Sequence, residues 1–260
     1  MRIATWNING VKARQPELEK WLRQENPDVV CLQELKSVDE GFPRAEIEAL
    51  GYNVETHGQK SWNGVAILSK HRFDEVHRGL PGDDSDEQAR LIEGVFSVEG
   101  GAIRVCGIYL PNGNPIGTDK FDYKLKWLER LRVHAADLLA AERPTVLAGD
   151  YNVIPEDRDT FSRRAMADDA LFQPESQAAF RTIVNQGWTD ALRALRPAEP
   201  KLFTFWDYQA GAWQRDAGFR IDHLLCSPQA ADRLRGAEVH KWARAEEKAS
   251  DHAPVCIDLA

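Results

Sequence analysis

No apolar run in the 260-residue chain approaches the ~18 residues that a membrane-spanning helix needs, so no segment is built to cross a bilayer in that form. Cysteine is sparse. Cys31, Cys106, Cys226 and Cys256 are far apart, each inside an apolar, strand-like run. They have neither the paired spacing of a zinc site nor the density of a disulfide scaffold. Free, buried thiols in a reducing compartment are expected, and with them a cytoplasmic protein. The opening residues, MRIATWNING, read directly into a strand, without the apolar region and cleavage site of a secretory signal. Walker and Rossmann glycine patterns are missing, which weakens a nucleoside triphosphate or dinucleotide site. The GxSxG elbow of serine hydrolases is missing too. There is no repeat of fixed period, no low-complexity tract and no interdomain linker, so one domain over residues 1–260 is expected.

What is present is an ordinary globular composition, 43% hydrophobic and 28% charged, long enough to bury a sizeable core. The net charge of −8, from 33 basic and 41 acidic residues, argues against a general nucleic-acid coating protein. It does not argue against a nucleic-acid enzyme, because a local basic surface or a bound cation can offset clustered carboxylates. Basic residues concentrate in KFDYKLKWLERLR, from Lys120 to Arg132, and at Arg163–Arg164.

Short apolar runs read as strands at Ile3–Ile8, Val29–Leu35, Gly64–Leu68, Leu91–Val98, Ile103–Leu110, Thr145–Ala148, Phe203–Trp206, Arg220–Cys226 and Ala253–Leu259. Helical periodicity lies between them. Leu18, Trp21 and Leu22 form one stripe, with Pro16 in the first turn. Phe121, Leu125, Leu128, Leu131, Ala135, Leu138 and Leu139 form a longer one, with Thr118 placed to cap it. A third helix is expected over about Gln177–Asn185, closed by Gly187. Strands outnumber helices and some follow one another directly. That mixture predicts two packed β-sheets with helices outside, an α+β chain rather than a doubly wound parallel sheet. The polar segment from Pro155 to Glu175 lacks periodicity and reads as a long, substrate-contacting loop.

Several strands end alike. IATWN ends in Asn7, VVCLQE in Glu34, VCGIY in Tyr109 and VLAGDYN in Asp150 and Asn152. Asp222 in RID and Asp251–His252 in SDH stand at the start of their strands, and reach the same edge if those strands run antiparallel. Strand alternation puts Asp150 and Asn152 on one face and Tyr151 on the other, and lets Asn7 and Asn9 share a face. Polar strand ends are common because loops are wet, so no single one of these carries weight. The recurrence does. Four carboxylates, two carboxamides, one histidine and one tyrosine form a hard-oxygen set of the kind Mg²⁺ prefers. Zinc has no second histidine or cysteine pair to bind. Metal-assisted attack of water on a phosphodiester fits the set best, a reaction so slow uncatalysed that it demands strong charge stabilisation.

These motifs resemble a known family. TWNING, DVVCLQELK, GYNVETHGQKSWNGVAILSK, HRGLPGDD, GIYLPNG, GDYNVIPEDRD, FTFWDY, GFRIDHLLCS and SDHAPV look like the exonuclease III type of abasic-site endonuclease, in the same order along the whole chain. The GDYN and SDH pair marks the wider endonuclease/exonuclease/phosphatase superfamily. LQELK, HGQK and GFRIDHLL together point to its DNA-repair branch. The resemblance implies a four-layer αββα sandwich with its site at one rim, and a Mg²⁺ cofactor for which Mn²⁺ can substitute. It implies Glu34 as the principal metal carboxylate with Asn7 beside it, and Asp150, helped by Asn152, orienting or deprotonating the attacking water. His252, oriented by Asp222, would contact the scissile phosphate. Asp251 would lie near the metal and the leaving oxygen, and Tyr109 would hydrogen-bond the phosphate. The metal environment would thus comprise Asn7, Glu34, Asp150, Asn152, Asp251 and His252. Lys36 and Asn112 match positions near the phosphate backbone. Phe205, Phe219 and Ile221 match positions lining a pocket for a base-less deoxyribose, which can flip in where an intact nucleotide is too bulky. Asn9 is uncharged where some relatives carry an acid. His223 stands where tyrosine or leucine is more usual, and alternation turns it away from Asp222, so it reads as structural.

The activity implied is Mg²⁺-dependent cutting of DNA 5′ to abasic sites by a monomer, with 3′→5′ exonuclease and 3′-end cleaning on duplex DNA. Loops at Gly113–Asp119, Arg158–Gln173 and Gln209–Ala217 are expected to set the balance among these. One alternative keeps the fold and changes the phosphoester; HGQK and the FTFW…GFRID segment argue against it. Another is a non-catalytic DNA-binding protein. That would expect losses among the site residues, and a basic chain.

Overall fold

A computed structural model of the chain describes residues 1–260. Twelve strands form two six-stranded sheets. In chain order they are β1 (Arg2–Asn7), β2 (Val29–Gln33), β3 (Asn53–His57), β4 (Val65–Ser69), β5 (Glu75–Arg78), β6 (Leu91–Val98), β7 (Gly101–Tyr109), β8 (Thr145–Asp150), β9 (Thr189–Asp190), β10 (Asp222–Cys226), β11 (Leu234–Val239) and β12 (Val255–Leu259). The first sheet has the order β11-β12-β1-β2-β4-β3, the second β5-β6-β7-β8-β10-β9. Each has one parallel pair at its centre, β1 with β2 and β7 with β8. A helix makes each parallel crossover: α1 (Gln15–Glu25) between β1 and β2, and, after the short α2 (Arg44–Glu48), α3 (Asp119–Ala140) between β7 and β8.

Alternation along the strands builds the layers. Ile3, Val29, Cys31, Val65 and Ile67 of the first sheet face Ile92, Val105, Val146, Ala148 and Leu224 of the second, in one shared core. The intervening Ala4, Trp6, Val30, Leu32, Ala66 and Leu68 point outward against Leu18, Trp21 and Leu22 of α1. On the far side, Leu147 and Leu225 meet Trp127, Leu128, Leu131 and Ala135 of α3, and Phe180 and Ile183 of α4 (Pro174–Val184). With both faces covered, central strands read as unbroken apolar runs. The result is the α+β, αββα sandwich. Gly149 in β8 is fixed by this packing: a Cβ there would lie 2.0 Å from the carbonyl oxygen of Ile108 on β7.

Three details differ from the sequence reading. Phe203–Trp206 is not a strand; Phe205 makes only isolated bridges, to Phe219 ahead of β10 and to His252 ahead of β12. It is a crosspiece stitching the second sheet to the first at their common rim. Thr118 precedes α3 but does not cap it, because its hydroxyl donates instead to the Pro115 carbonyl, at 2.7 Å. α4 begins at Pro174, ahead of the apolar stripe, as proline in a first turn allows.

Candidate active site

Asp150 ends β8, pairs in register with Asp222 of antiparallel β10, and is fully buried with it. β12 runs antiparallel to β1, so the residues before it reach the rim where Asn7 ends β1. Ser250 fixes that approach: its hydroxyl donates to the Asn7 carbonyl at 2.6 Å and accepts from the His252 N–H at 3.2 Å. The Trp6 indole N–H donates to the His252 carbonyl. His252 thereby comes from one sheet and Asp150 and Asp222 from the other.

His252 Nδ1 lies 2.9 and 3.1 Å from the two Asp222 oxygens, and its Nε2 is 3.8 Å from Asp150 Oδ2. Asp222 is itself held by the Thr204 hydroxyl at 2.6 Å. Burial works against the imidazolium, but the adjoining Asp222 carboxylate, with Asp150 and Asp251, outweighs it and raises the His252 pKa to about 10. Nε2 therefore carries a proton. Asp150 moves the other way from an ordinary carboxylate: burial pushes its pKa up to about 7, against the opposing pull of the His252 charge. Its Oδ1 accepts the Asn152 backbone N–H at 2.9 Å and its Oδ2 accepts Asn7 Nδ2 at 2.9 Å.

Glu34 lies just beyond β2. Its Oε2 accepts from Asn7 Nδ2 at 3.0 Å and from the Tyr109 hydroxyl at 3.1 Å; Lys36 Nζ is 2.9 Å from Oε1. Burial alone would raise the Glu34 pKa, but bonds from Lys36 and Asn7 outweigh it and hold the carboxyl below its usual value. Burial, with the Glu34 and Asp150 charges, raises the Tyr109 phenol well above its usual value, so it remains a donor. Asn7 is thus a bridge: its NH₂ joins two carboxylates while its oxygen accepts the Asn9 N–H at 3.0 Å. Asn9 Nδ2 reaches Asp251 Oδ1 at 3.0 Å. Asn9, Glu34, Lys36 and Asn152 all adopt positive φ, of 47°, 56°, 52° and 46°. Such strain in non-glycine residues gathers at functional sites.

A cavity of about 360 Å³ opens here. Glu34, Tyr109, Asn112, Asp150, Asn152, Asp251 and His252 line its polar side, and Phe205, Phe219 and Ile221 its apolar side. Phe205 stacks on Phe219 with centroids 4.6 Å apart and meets the His252 ring edge-on at 4.9 Å. Asn112 donates to Asn152 Oδ1 at 3.2 Å, whereas Lys36 is turned to Glu34 and Asn9 and does not line the cavity. Asp169, Leu171 and Asp207 line it too, and sequence reasoning missed them. The first two lie in the loop expected to contact substrate, where no periodicity marks individual residues; Asp207 directly follows FTFW. A wider groove of about 650 Å³ runs on from Glu34 and Tyr109 past Arg90 and Asn114 to Trp62, which is 72% exposed. Gly113 and Asn114 of the first expected loop line this groove, but nothing from Gln209–Ala217 lines either cavity.

The long loop is pinned by buried charge. Asp159 accepts from Arg193 at 2.7 Å and from Arg220 at 2.8 and 3.1 Å, and Arg220 also donates to Asp190 at 2.7 Å. Burial and the Arg220 charge lower the His223 pKa to about 4. That neutral ring packs on Tyr151 and Phe180 and bonds the Val153 carbonyl, facing away from the cavity. Asp159→Ala leaves two guanidinium groups without their shared partner. It is expected to cost about 3–5 kcal/mol of stability, read as a lowered urea midpoint; a midpoint within error of wild type would show that the pin carries no load.

The donors suit a hard divalent cation. Five carboxylates (Glu34, Asp150, Asp169, Asp207 and Asp251) surround the cavity with one histidine and no thiol, so an anionic phosphate needs a counter-charge to enter. Among the carboxylates Glu34 is held by Asn7, Tyr109 and Lys36 and kept below its usual pKa, an anion suited to such a cation.

The model of the endonuclease/exonuclease/phosphatase family matches residues 4–252, and the chain belongs to that family. It is 35% identical to exodeoxyribonuclease III of Haemophilus influenzae, over 100% of both chains. Two solved structures share 35% identity and superpose with a TM-score of 0.94 over 100% of this chain and 99% of theirs: an AP endonuclease from Archaeoglobus fulgidus, and a 3′ phosphatase from Neisseria bound to product DNA hairpin. Within the family the chain is an exodeoxyribonuclease III-type hydrolytic nuclease. No helix is long and apolar enough to cross a membrane.

Proposed function

We propose that this chain is a Mg²⁺-dependent DNA-repair phosphodiesterase, one catalytic unit acting as a monomer in the cytoplasm. It hydrolyses the backbone of duplex DNA 5′ to abasic sites, and removes nucleotides and blocking groups from 3′ ends. Mn²⁺ can take the place of Mg²⁺. The observation that carries the reading is the two-sided cavity. An apolar wall of Phe205, Phe219, Ile221 and Leu171, the kind of surface a sugar without its base would pack against, stands against a buried acid–histidine group.

Bound through Glu34, with Asp251 and Asn7 nearby, the ion would supply charge to neutralise and polarise the phosphate. The side chains supply the rest. Asp150 is held by Asn7 and Asn152 with a pKa near neutrality, the range in which a carboxylate accepts a proton from water most usefully. His252, protonated and aimed by Asp222, donates from Nε2 to a phosphate oxygen as charge develops there. Tyr109, whose hydroxyl rests on Glu34, is a further donor at the phosphate. Asn112 meets a flanking phosphate, Lys36 meets another only by leaving Glu34 and Asn9, and the groove toward Trp62 takes the continuing strand.

The test is a labelled duplex with one abasic-site analogue beside an intact duplex. With Mg²⁺, one cut 5′ to the lesion is expected, with the intact duplex shortened only from its 3′ ends. EDTA should stop both reactions. A folded protein that cuts neither duplex would end the DNA-repair reading.

A further inference from the structure

α3 carries one residue that its packing does not explain. Its inner face is apolar, with Trp127, Leu128, Leu131 and Ala135, yet the position ahead of them is Lys124, with 0% of its surface exposed. Burying an ammonium in such a setting costs several kcal/mol, and a methionine would fill the same volume without that cost. Lys124 Nζ donates to two main-chain carbonyls, Asn112 at 3.0 Å and Asn152 at 2.5 Å. These carbonyls belong to different connections, one leaving β7 and the other leaving β8. Their side chains both line the reacting cavity and are bonded to each other at 3.2 Å.

The surrounding chain is shaped to admit this lysine. Gly113 lies directly over its stem at φ +88°, and a Cβ there would come within 2.6 Å of Lys124 Cδ. Asn152 holds a left-handed conformation at φ 46°, which turns its carbonyl toward Nζ while its amide N–H stays on Asp150. Its carboxamide NH₂ goes to the Leu110 carbonyl at 2.8 Å, a third tie between the same two connections. Burial lowers the Lys124 pKa to about 7, opposed by Asp169 and Asp150. The tie does not depend on that charge, since an ammonium and a free amine both have enough N–H groups for two carbonyls.

We propose that Lys124 is a positioning residue for hydrolysis: from beneath the site it ties the connections after β7 and β8 together, so that Asn112 and Asn152 meet the phosphate and the attacking water in register. It touches neither substrate nor metal and acts through the two asparagines. The proposal rests on the phosphodiesterase reading above and adds a residue to it.

Lys124→Met tests this, with Lys124→Gln, which keeps a donor, as the second variant should the first not fold. For folded Lys124→Met, kcat on the abasic duplex is expected to fall about 10–100-fold, the range for a small misplacement of reacting groups, with KM within about threefold of wild type. Lys124→Gln should recover part of that loss. A double-mutant cycle gives the sharper readout. If Lys124 works through Asn152, Lys124→Met/Asn152→Ala is no slower than Asn152→Ala alone. Losses that multiply, or a wild-type kcat in either folded variant, would overturn the proposal. A substrate-free measurement separates it from the reading it rests on. The side-chain NH₂ resonances of Asn112 and Asn152 should shift and broaden in Lys124→Met, and unchanged resonances would also overturn it. A wild-type protein that cuts no DNA, by contrast, would strike at the functional reading.

Discussion

Asp150→Asn is expected to slow cleavage of the abasic duplex by about 10²–10⁴-fold, the usual contribution of a positioned proton acceptor, while leaving DNA affinity close to wild type. The substitution is nearly isosteric. Its amide oxygen can still accept the Asn152 N–H, so the turn after β8 keeps its shape. What disappears is a basic oxygen next to Asn7, Asn152 and His252. The same change carries an opposite expectation for stability. Burial raises the Asp150 pKa to about 7, above the ordinary value near 3.9, so the folded state resists its ionisation. The contribution is neutral below about pH 4, grows more unfavourable as pH rises to about 7, and is constant above that. In EDTA, the melting temperature of Asp150→Asn relative to wild type should therefore rise from pH 4 to pH 8, on top of a constant cost from its new NH₂, which faces the Asn7 NH₂ where Oδ2 accepted it. An offset from wild type that is the same at both pH values would show that Asp150 does not titrate across that interval.

Asp222→Asn is expected to cost about 10²–10³-fold in kcat, the scale of losing one aimed donor to a charged transition state. Asp222 reaches the substrate only through His252. The wild-type pair keeps Nε2 protonated to about pH 10, because the Asp222 carboxylate outweighs the penalty of burial. Without that charge the imidazolium pKa falls toward or below its ordinary value near 6.5. Wild type should then show no loss of rate from His252 between pH 7 and 9. In Asp222→Asn the remaining rate should decline across that interval. Matching pH profiles in the two proteins, with the variant merely scaled down, would mean that Asp222 holds the ring in place without setting its charge.

How much of this was legible in the sequence depends on where each residue stands in the sheets. The central strands announce themselves because both faces are covered. The four strands that the sequence did not reveal, β3, β5, β9 and β11, are the four edge strands of the two sheets. They are short or partly exposed, as in NVETH and EVHR, and edge positions tolerate the polar and charged residues that break an apolar pattern. The site followed a similar rule. Asn7, Glu34, Asp150 and Asn152 stood out as polar endings of legible strands, and the structure gathers them around one cavity with Tyr109, Asp251 and His252. Asp169 and Leu171 sit in a loop whose path is set by the buried Asp159–Arg220 pair, a contact 61 residues long that no local pattern encodes. Lys124 was hidden for the opposite reason: it lies on a helix already read as basic, where a lysine looks like a solvated one.

The crosspiece at Phe205 and the insertion of β12 between β1 and β11 have a consequence for how the molecule comes into being. Asn7 bonds a residue 143 positions away, and Ser250 bonds back to Asn7 across 243. Contacts this remote in sequence form late and slow a folding reaction, because loop closure must be met before they contribute. No early fragment can hold both halves of the site, so neither a partly synthesised nor a partly refolded chain has the means to nick DNA. In refolding from urea, nuclease activity should return with the slowest phase, in step with burial of the last strand.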